Sequence, residues 1–91
     1  MTIKIRIPKN LQKKTDGNAL AVVHGSTVRE CMDMLIRRYP ELQGEILDDR
    51  GMVLLRWMIH LNDQSIRTAD ASSHPVKEGD IIDLLPMVSG G

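Results

Sequence analysis

The chain has 91 residues, which is enough for one small domain with a single hydrophobic core. Twelve basic and twelve acidic side chains cancel, so the whole molecule has no net attraction for nucleic acids or anionic membranes. There is no Phe, one Trp and one Tyr, and therefore no set of aromatic side chains on which nucleobases could stack.

The single cysteine and the first residues predict a cellular location. Cys31 stands alone, which excludes an internal disulfide and a Cys-rich metal site and is typical of a reducing compartment. Residues 1–6 alternate between apolar and polar, unlike the continuous apolar stretch of a signal peptide or a membrane-spanning helix. The three histidines lack the spacing of a metal site. We therefore expect a cytoplasmic protein without a metal or a membrane segment.

The first elements are predicted to be two strands joined by a long turn. Residues 3–7 alternate Ile with Lys or Arg, and Pro8, which has no backbone N–H, ends the pairing. Residues 16–18, Asp-Gly-Asn, have turn chemistry. Residues 20–23 are short and partly β-branched, which favours a second strand.

A helix is predicted to begin after Thr27 and to end before Pro40. Thr27 and Glu30 fit a capping box, in which the Thr27 hydroxyl accepts from the Glu30 amide and the Glu30 carboxylate reaches back to the Thr27 amide. The apolar residues recur at helical spacing and form one stripe, which consists of Val28, Cys31, Met32, Leu35, Ile36 and Tyr39.

The second half of the chain is predicted to form three more strands. Residues 40–47 are compatible with one or two further helical turns, although Gly44 disfavours them. After a turn at residues 48–51, residues 55–61 alternate as a strand with one covered face. A tight turn at 62–64 leads into a short strand at 65–67, followed by a loop at 68–73. A turn at 77–80 precedes the last strand, residues 81–85.

A single helix with one apolar stripe must pack on a sheet, so we expect an α+β fold of the β-grasp type. In this layout a mixed β-sheet of about five strands wraps over one main helix, and the first and last strands lie side by side and parallel at its centre. We assign residues 1–86 to the β-grasp domain and residues 87–91 to a flexible C-terminal tail ending in Gly-Gly.

The tail follows directly from the last strand. Gly90 and Gly91 have no Cβ, so they fit an extended path through a narrow cleft in another protein, where the Gly91 carboxylate could be modified. The tail is therefore interpreted as a substrate for a partner enzyme. The alternative is an ordinary frayed terminus.

Four stretches together resemble the ThiS/MoaD family of ubiquitin-like sulfur carriers over nearly the whole chain. They are Thr27–Glu30, Trp57–Asn62 with the following Asp63 and Ile66-Arg67, Val76–Asp80 and Leu84–Gly91. The last is the most specific, because an apolar strand, a Pro, a short linker and a diglycine seldom coincide. Ser89, Met58 and His60 depart mildly from the residues that are usual in relatives.

The resemblance implies a function and a set of partners. An E1-like adenylating enzyme would use ATP to activate the Gly91 carboxylate, and a sulfur donor protein or a sulfide source would convert the adenylate into a thiocarboxylate. An acceptor biosynthetic enzyme would then receive the sulfur. A metalloprotease is a further expected partner if the chain is made with residues beyond Gly91.

The protein itself would bind no cofactor and supply no catalytic residue, so it is not expected to be an enzyme. The tail residues expected to thread into partner active sites are Met87, Val88, Ser89 and Gly90.

The alternation of the last strands predicts a surface that binds these partners. Met58, Ile81 and Leu85 should face outward beside the tail, together with Met87, and an exposed apolar cluster is a sign of a partner surface. The alternative is that these are scattered surface side chains. Cys31, on the apolar stripe, is expected to be a buried structural thiol.

Two other functions remain open from the sequence. The chain could be a ubiquitin-like modifier joined through Gly91 to lysines of target proteins, or a regulatory β-grasp module that binds without using its tail. The destination of the sulfur is also open: amino acid, cofactor or specialised-metabolite synthesis. The extended segment 42–56 favours the larger carriers over the compact thiamin type.

Overall fold

A computed structural model describes residues 1–87 of the chain. Each predicted strand is present, and the main helix lies between the second and third strands. Short 3-10 helices occupy Lys9–Lys14 and Pro40–Leu42. The strands and α-helices are β1 (Thr2–Arg6), β2 (Leu20–His24), α1 (Val28–Arg38), β3 (Trp57–Leu61), β4 (Gln64–Ile66), α2 (Thr68–Ala71) and β5 (Ile81–Pro86).

The strands form one mixed sheet of five strands in the order β2-β1-β5-β3-β4. The first and last strands pair in parallel at its centre, with Ile5 opposite Ile82, as the sequence predicts. The other neighbouring pairs are antiparallel. The hairpin between β3 and β4 turns at Asn62 and Asp63, whose φ angles of 51° and 71° lie in the left-handed region that suits a two-residue turn between right-twisted strands.

Helix α1 begins at the predicted cap. Thr27 Oγ1 accepts a hydrogen bond from the Glu30 amide at 3.1 Å. The predicted return bond is wrong in its partner, because the Glu30 carboxylate accepts from the amide and hydroxyl of Ser26, at 2.9 and 2.7 Å, and not from the Thr27 amide. The Ser26 hydroxyl and then the Ser26 amide lower the pKa of Glu30, so these bonds favour its ionised form.

The apolar stripe of α1 packs against one face of the sheet. Within the stripe, Ile36 is half-buried at the margin of the core and the other members are buried. The sheet contributes alternate residues of its central strands, which are Ile3, Ile5, Trp57, Ile59, Ile82 and Leu84. A mixed five-stranded sheet wrapped over one main helix is the β-grasp, or ubiquitin-like, fold, and the predicted fold class is confirmed.

Two local predictions are corrected, and a third is confirmed in its smaller form. Leu55 does not belong to the third strand, which begins at Trp57, and its side chain is 79% exposed. Residues 68–73, predicted as a loop, contain the short helix α2. Of the one or two helical turns expected in residues 40–47, the structure has one 3-10 turn, followed by a non-helical turn in which Gly44 adopts a φ of 81°, which an α-helix cannot accommodate.

The segment between α1 and β3 is anchored from inside the core. The indole Nε1–H of Trp57 donates to the carbonyl of Glu45 at 2.7 Å, and Ile46 is fully buried. The Glu45 carboxylate also lies 3.5 Å from Lys14 Nζ. This long connection is therefore part of the packed body. Among the helices of residues 1–87, none has the length and apolar character needed to cross a membrane.

Candidate functional site

Strand β5 carries the chain from the middle of the sheet to the tail, and both of its ends are fixed by hydrogen bonds. At its start, Asn62 Nδ2 donates to Asp80 Oδ1 at 2.8 Å, and the Ile81 amide donates to Asn62 Oδ1 at 2.9 Å. The Lys77 amide donates to Asp80 Oδ2 at 2.7 Å. The Asn62 side chain, followed by the Lys77 amide, lowers the pKa of Asp80. The Val76–Asp80 motif thus holds β5 in register.

At its other end, β5 stays paired with the chain preceding β3. Pro86 lies opposite Trp57, and the Met87 amide donates to the Arg56 carbonyl at 2.7 Å. Residue 87 therefore extends the ladder by one step. The predicted threading residues Val88, Ser89 and Gly90, and the predicted modification site Gly91, lie outside the described residues. The boundary between body and tail at residue 86 stays a prediction.

The structure brings two of the three predicted surface residues together. Met58 and Leu85 are direct cross-strand partners on the sheet face turned away from α1, with Met58 half-buried and Leu85 37% exposed. Ile81 is on the same face but lies four residues earlier, roughly 13 Å away at the usual rise of a strand. Met87, 49% exposed, follows Leu85 toward the tail. The apolar site is therefore concentrated where β5 ends.

A polar row separates Ile81 from this pair. Asp83, between Ile81 and Leu85, faces Arg6 on one side and His60 on the other. Arg6 Nε lies 3.6 Å from Asp83 Oδ1, with 60% of the Arg6 side chain exposed. The open face thus has apolar ends and a charged middle.

Sequence reasoning missed three exposed apolar residues near this face. Leu20 and Val22, 47% and 44% exposed, stand on the same side of β2. Their period-two alternation was a usable signal once β2 was recognised as a strand. Leu55 lies next to Arg56, whose carbonyl holds Met87. Its exposure could not be read from the sequence, because it continues the apolar run of β3.

The described residues contain neither a metal-binding cluster nor an exposed thiol on this surface. Within residues 1–87 no three His, Cys, Asp or Glu side chains come close enough together to hold a metal ion. Cys31 is fully buried under the sheet, as predicted, and this burial, followed by the nearby charge of Glu30, raises its pKa to about 11. A neutral buried thiol is a poor nucleophile. What the site offers is a shaped apolar surface at the base of the tail.

The sheet topology, the single capped helix and a central last strand that leads into the C-terminal segment define a ubiquitin-like β-grasp protein. Within this class the chain belongs to the ThiS family, whose sequence pattern matches residues 5–91. The resemblance predicted from the four stretches is confirmed.

The chain is similar to proteins with named roles. It is 25% identical to the sulfur carrier protein CysO of Mycobacterium tuberculosis over 93 residues, covering 100% of both chains. A chain in the crystal structure of the BexX/CysO complex of Amycolatopsis orientalis superposes with a TM-score of 0.86 at 26% identity, covering 98% of this chain and 99% of that one. The small archaeal modifier protein 1 of Methanosarcina acetivorans gives a TM-score of 0.81 at 26% identity, covering 99% and 96%.

Proposed function

We propose that this protein is a sulfur carrier whose Gly91 carboxylate is adenylated by an E1-like enzyme with ATP and then converted to a thiocarboxylate. The thiocarboxylate would donate its sulfur to a biosynthetic acceptor enzyme. The observation that carries the proposal is the ThiS family pattern, which runs to residue 91 and so includes the diglycine. Relatives named as sulfur carriers that match over the full chain support it.

The chemistry explains why the protein needs so few reactive groups. A carboxylate is a poor electrophile until it has a good leaving group, which adenylation provides when pyrophosphate is released. Attack by hydrosulfide, free or released by a donor protein, then expels AMP, and loss of the sulfur-bound proton leaves a thiocarboxylate at Gly91. In this proposal the partner enzymes supply the catalysis and the ATP site, and the chain itself acts as a co-substrate without a bound cofactor.

The proposed role of the folded body is to dock the tail. Fixing the backbone of residues 88–91 in an enzyme cleft costs about 1–2 kcal/mol per residue. Leu85 and Met87 are 37% and 49% exposed, so burying the exposed remainder of each side chain contributes roughly one-third to one-half of the about 1.5–3 kcal/mol gained by a fully exposed one. Contacts made by Met58, Leu85 and Met87 at the base of the tail would offset part of that cost. Ile81, across the polar row, would extend the contact along β5.

The direct test is loading by a cognate activating enzyme with ATP and a sulfide source, followed by intact mass measurement. The expected product differs from the free protein by the replacement of one oxygen by sulfur. Deleting Gly90 and Gly91 should abolish the product and leave the unfolding midpoint unchanged. A deletion variant that is still loaded would overturn the proposal.

The docking role has its own matched variants. Leu85→Asp should reduce the kcat/KM of loading about tenfold or more, which corresponds to a loss of about 1.4 kcal/mol in transition-state binding. Leu20→Asp places the same charge on a somewhat more exposed residue of the same face, two strands away, and should leave loading unchanged. Equal losses in both variants would show that docking is not centred at the base of the tail.

A second function is favoured by one specific likeness, that to the small archaeal modifier protein 1 of Methanosarcina acetivorans. The same activated Gly91 could form an isopeptide bond with lysines of target proteins. Trapping lysine-linked adducts of the tagged chain in lysate would support this function. A regulatory module that ignores its tail is the third possibility, and it would keep full activity without Gly90 and Gly91. The metalloprotease and the cytoplasmic location stay predictions, and the pathway that receives the sulfur stays open.

A further inference from the structure

The two edges of the sheet differ in length and chemistry. The β4 edge has only three residues, and its Gln64 and Ser65 are polar and exposed. The β2 edge has five residues, of which Leu20 and Val22 are exposed and apolar. Proteins usually protect a long apolar edge, because its free backbone groups can pair with another strand. The β2 edge is therefore the one suited to accept a further strand.

The hydrogen-bond phase of the β1–β2 hairpin shows which backbone groups point outward. The Ile7 amide donates to the Ala19 carbonyl at 2.8 Å, and the Gly25 amide donates to the Met1 carbonyl at 3.1 Å. In an antiparallel pair such bonds recur every second residue, so odd-numbered residues of β2 face β1. The amides and carbonyls of Leu20, Val22 and His24 then point away from the sheet.

One side chain partly covers this edge. Arg38 Nη1 donates to the Val22 carbonyl at 3.3 Å, which is long for such a bond. Within residues 1–87 the other outward groups of β2 have no protein partner. The Arg38 guanidinium also lies 5.6 Å from the Tyr39 ring centre, so it can leave Val22 without losing all of its contacts.

A groove of about 430 Å³ runs along this edge, between β2 and α1. Met34, 39% exposed, contributes apolar surface to it. Among residues 1–87 no acidic side chain lines the groove itself, and Glu30 and Asp33 line an adjoining hollow on α1. In the part of the chain that the structure describes, neither Arg37 nor Arg38 has an ion-pair partner. The residues that line the groove are Val22, Val23, His24, Met34, Arg37 and Arg38.

The positive charges of Arg37 and Arg38 favour an acidic partner segment over a second copy of the chain. A second copy of the chain would have to pair its own Leu20–His24, which contains no acidic residue to meet the arginines. Antiparallel pairing of two copies about Val22 would also bring the two Arg38 side chains to the same point, where they repel. A partner segment with acidic residues has neither problem.

We propose that the β2 edge binds an extended segment of a partner protein, with alternating apolar residues and flanking acidic residues, as a sixth strand of the sheet. A backbone N–H of the segment would replace Arg38 at the Val22 carbonyl, and the released guanidinium, with Arg37, would pair with the acidic side chains. Strand β1 separates this edge from β5. A partner bound here leaves the base of the tail uncovered, so the site is independent of the proposed loading of Gly91.

The test uses the full isotope-labelled chain and a capped synthetic peptide, Glu-Glu-Val-Thr-Val-Thr-Val, followed by backbone amide NMR. We expect saturable shifts centred on the outward amides of Leu20, Val22 and His24, with a Kd below about 1 mM. Two control peptides should bind at least about tenfold more weakly. One carries Lys-Lys in place of Glu-Glu, and the other has Pro in place of both Thr residues and so lacks two backbone donors.

Matched variants of the protein separate the charge effect from a loss of structure. Arg37→Glu with Arg38→Glu should weaken peptide binding about tenfold or more, and Arg37→Glu alone, which leaves the Val22 bond intact, should account for part of the loss. Arg67→Glu, beside the β4 edge, should have no effect. The proposal is overturned if the acidic and basic peptides bind alike, if the shifts lie around Leu85 instead, or if no shifts occur at millimolar peptide. A concentration-dependent dimer through β2 would assign the edge to a second copy and would also overturn it.

Discussion

The two faces of the sheet are built from the same strands, yet they differ in almost every physical respect. On the covered face, alternate residues such as Ile5, Ile59 and Ile82 are fully buried against α1. On the open face, their immediate neighbours are half-buried or exposed, and they include Arg6 and Asp83 as well as apolar residues. Adjacent positions of one strand therefore have different functions. The covered face determines whether the chain folds, and the open face is free to be shaped for partners.

The largest expected effect comes from truncating two neighbouring residues of β3, one on the covered face and one on the open face. Ile59→Ala leaves a cavity in the core, and we expect it to lower the free energy of unfolding by about 2–5 kcal/mol. Met58→Ala removes a half-buried side chain from the open face and should cost less than about 1 kcal/mol. Denaturant unfolding of both variants measures the difference.

Loading assays of the same pair should give the reverse ranking. At a temperature where both variants are folded, Met58→Ala should slow loading by the activating enzyme more than Ile59→Ala does. Equal stability losses in the two variants would show that the open face is part of the core. Equal loading rates would remove Met58 from the proposed docking surface.

The exclusion of water from the covered face gives a second prediction, which concerns the pKa of Cys31. Its pKa in the folded state is raised from 9.0 to about 11 by burial. The unfolded chain therefore releases the thiol proton from about pH 9 upward, while the folded chain keeps it, so stability falls as pH rises through this window. Cys31 should contribute a loss of about 1.4 kcal/mol per pH unit there and none at neutral pH.

The matched control is Cys31→Ala, which keeps every other group that titrates at high pH. Its stability is expected to be lower at neutral pH, because a buried sulfur is lost, but its decline above pH 9 should be shallower than that of the wild type. Parallel declines would show that the folded structure does not raise the pKa of Cys31. Reaction with a thiol reagent should likewise require unfolding.

The covered face was predictable from the sequence because burial imposes a strict period. The spacing from Val28 to Tyr39 and the alternation of residues 3–7 could be satisfied only by a helix packed on a sheet, and the parallel central pair followed. The prediction failed where two elements shared one apolar run. Leu55 continues the pattern of β3, but the chain bends before Trp57 and leaves it exposed.

The open face was predictable only in part. Alternation placed Met58, Ile81 and Leu85 on one side, with Asp83 between Ile81 and Leu85, but it could not show that Arg6 lies beside Asp83, because that contact depends on the register between β1 and β5. The edge groove was missed for a similar reason. It forms between Val22 of β2 and Met34 of α1, which line one groove only because of the way α1 lies across the sheet, and periodicity within each element does not show this.

The ion pair in the middle of the open face gives the smallest predicted effect. Arg6 and Asp83 are 3.6 Å apart, and the Arg6 side chain is well exposed, so solvent screens their attraction. Arg6→Gln and Asp83→Asn should each change the free energy of unfolding by less than about 1 kcal/mol, and a double-mutant cycle should give a coupling within the range of about 0.2–1 kcal/mol. Raising the salt concentration should reduce that coupling further. A coupling well above this range would mean that the Arg6–Asp83 pair stabilises the sheet. The middle of the open face would then contribute to folding, as the covered face does.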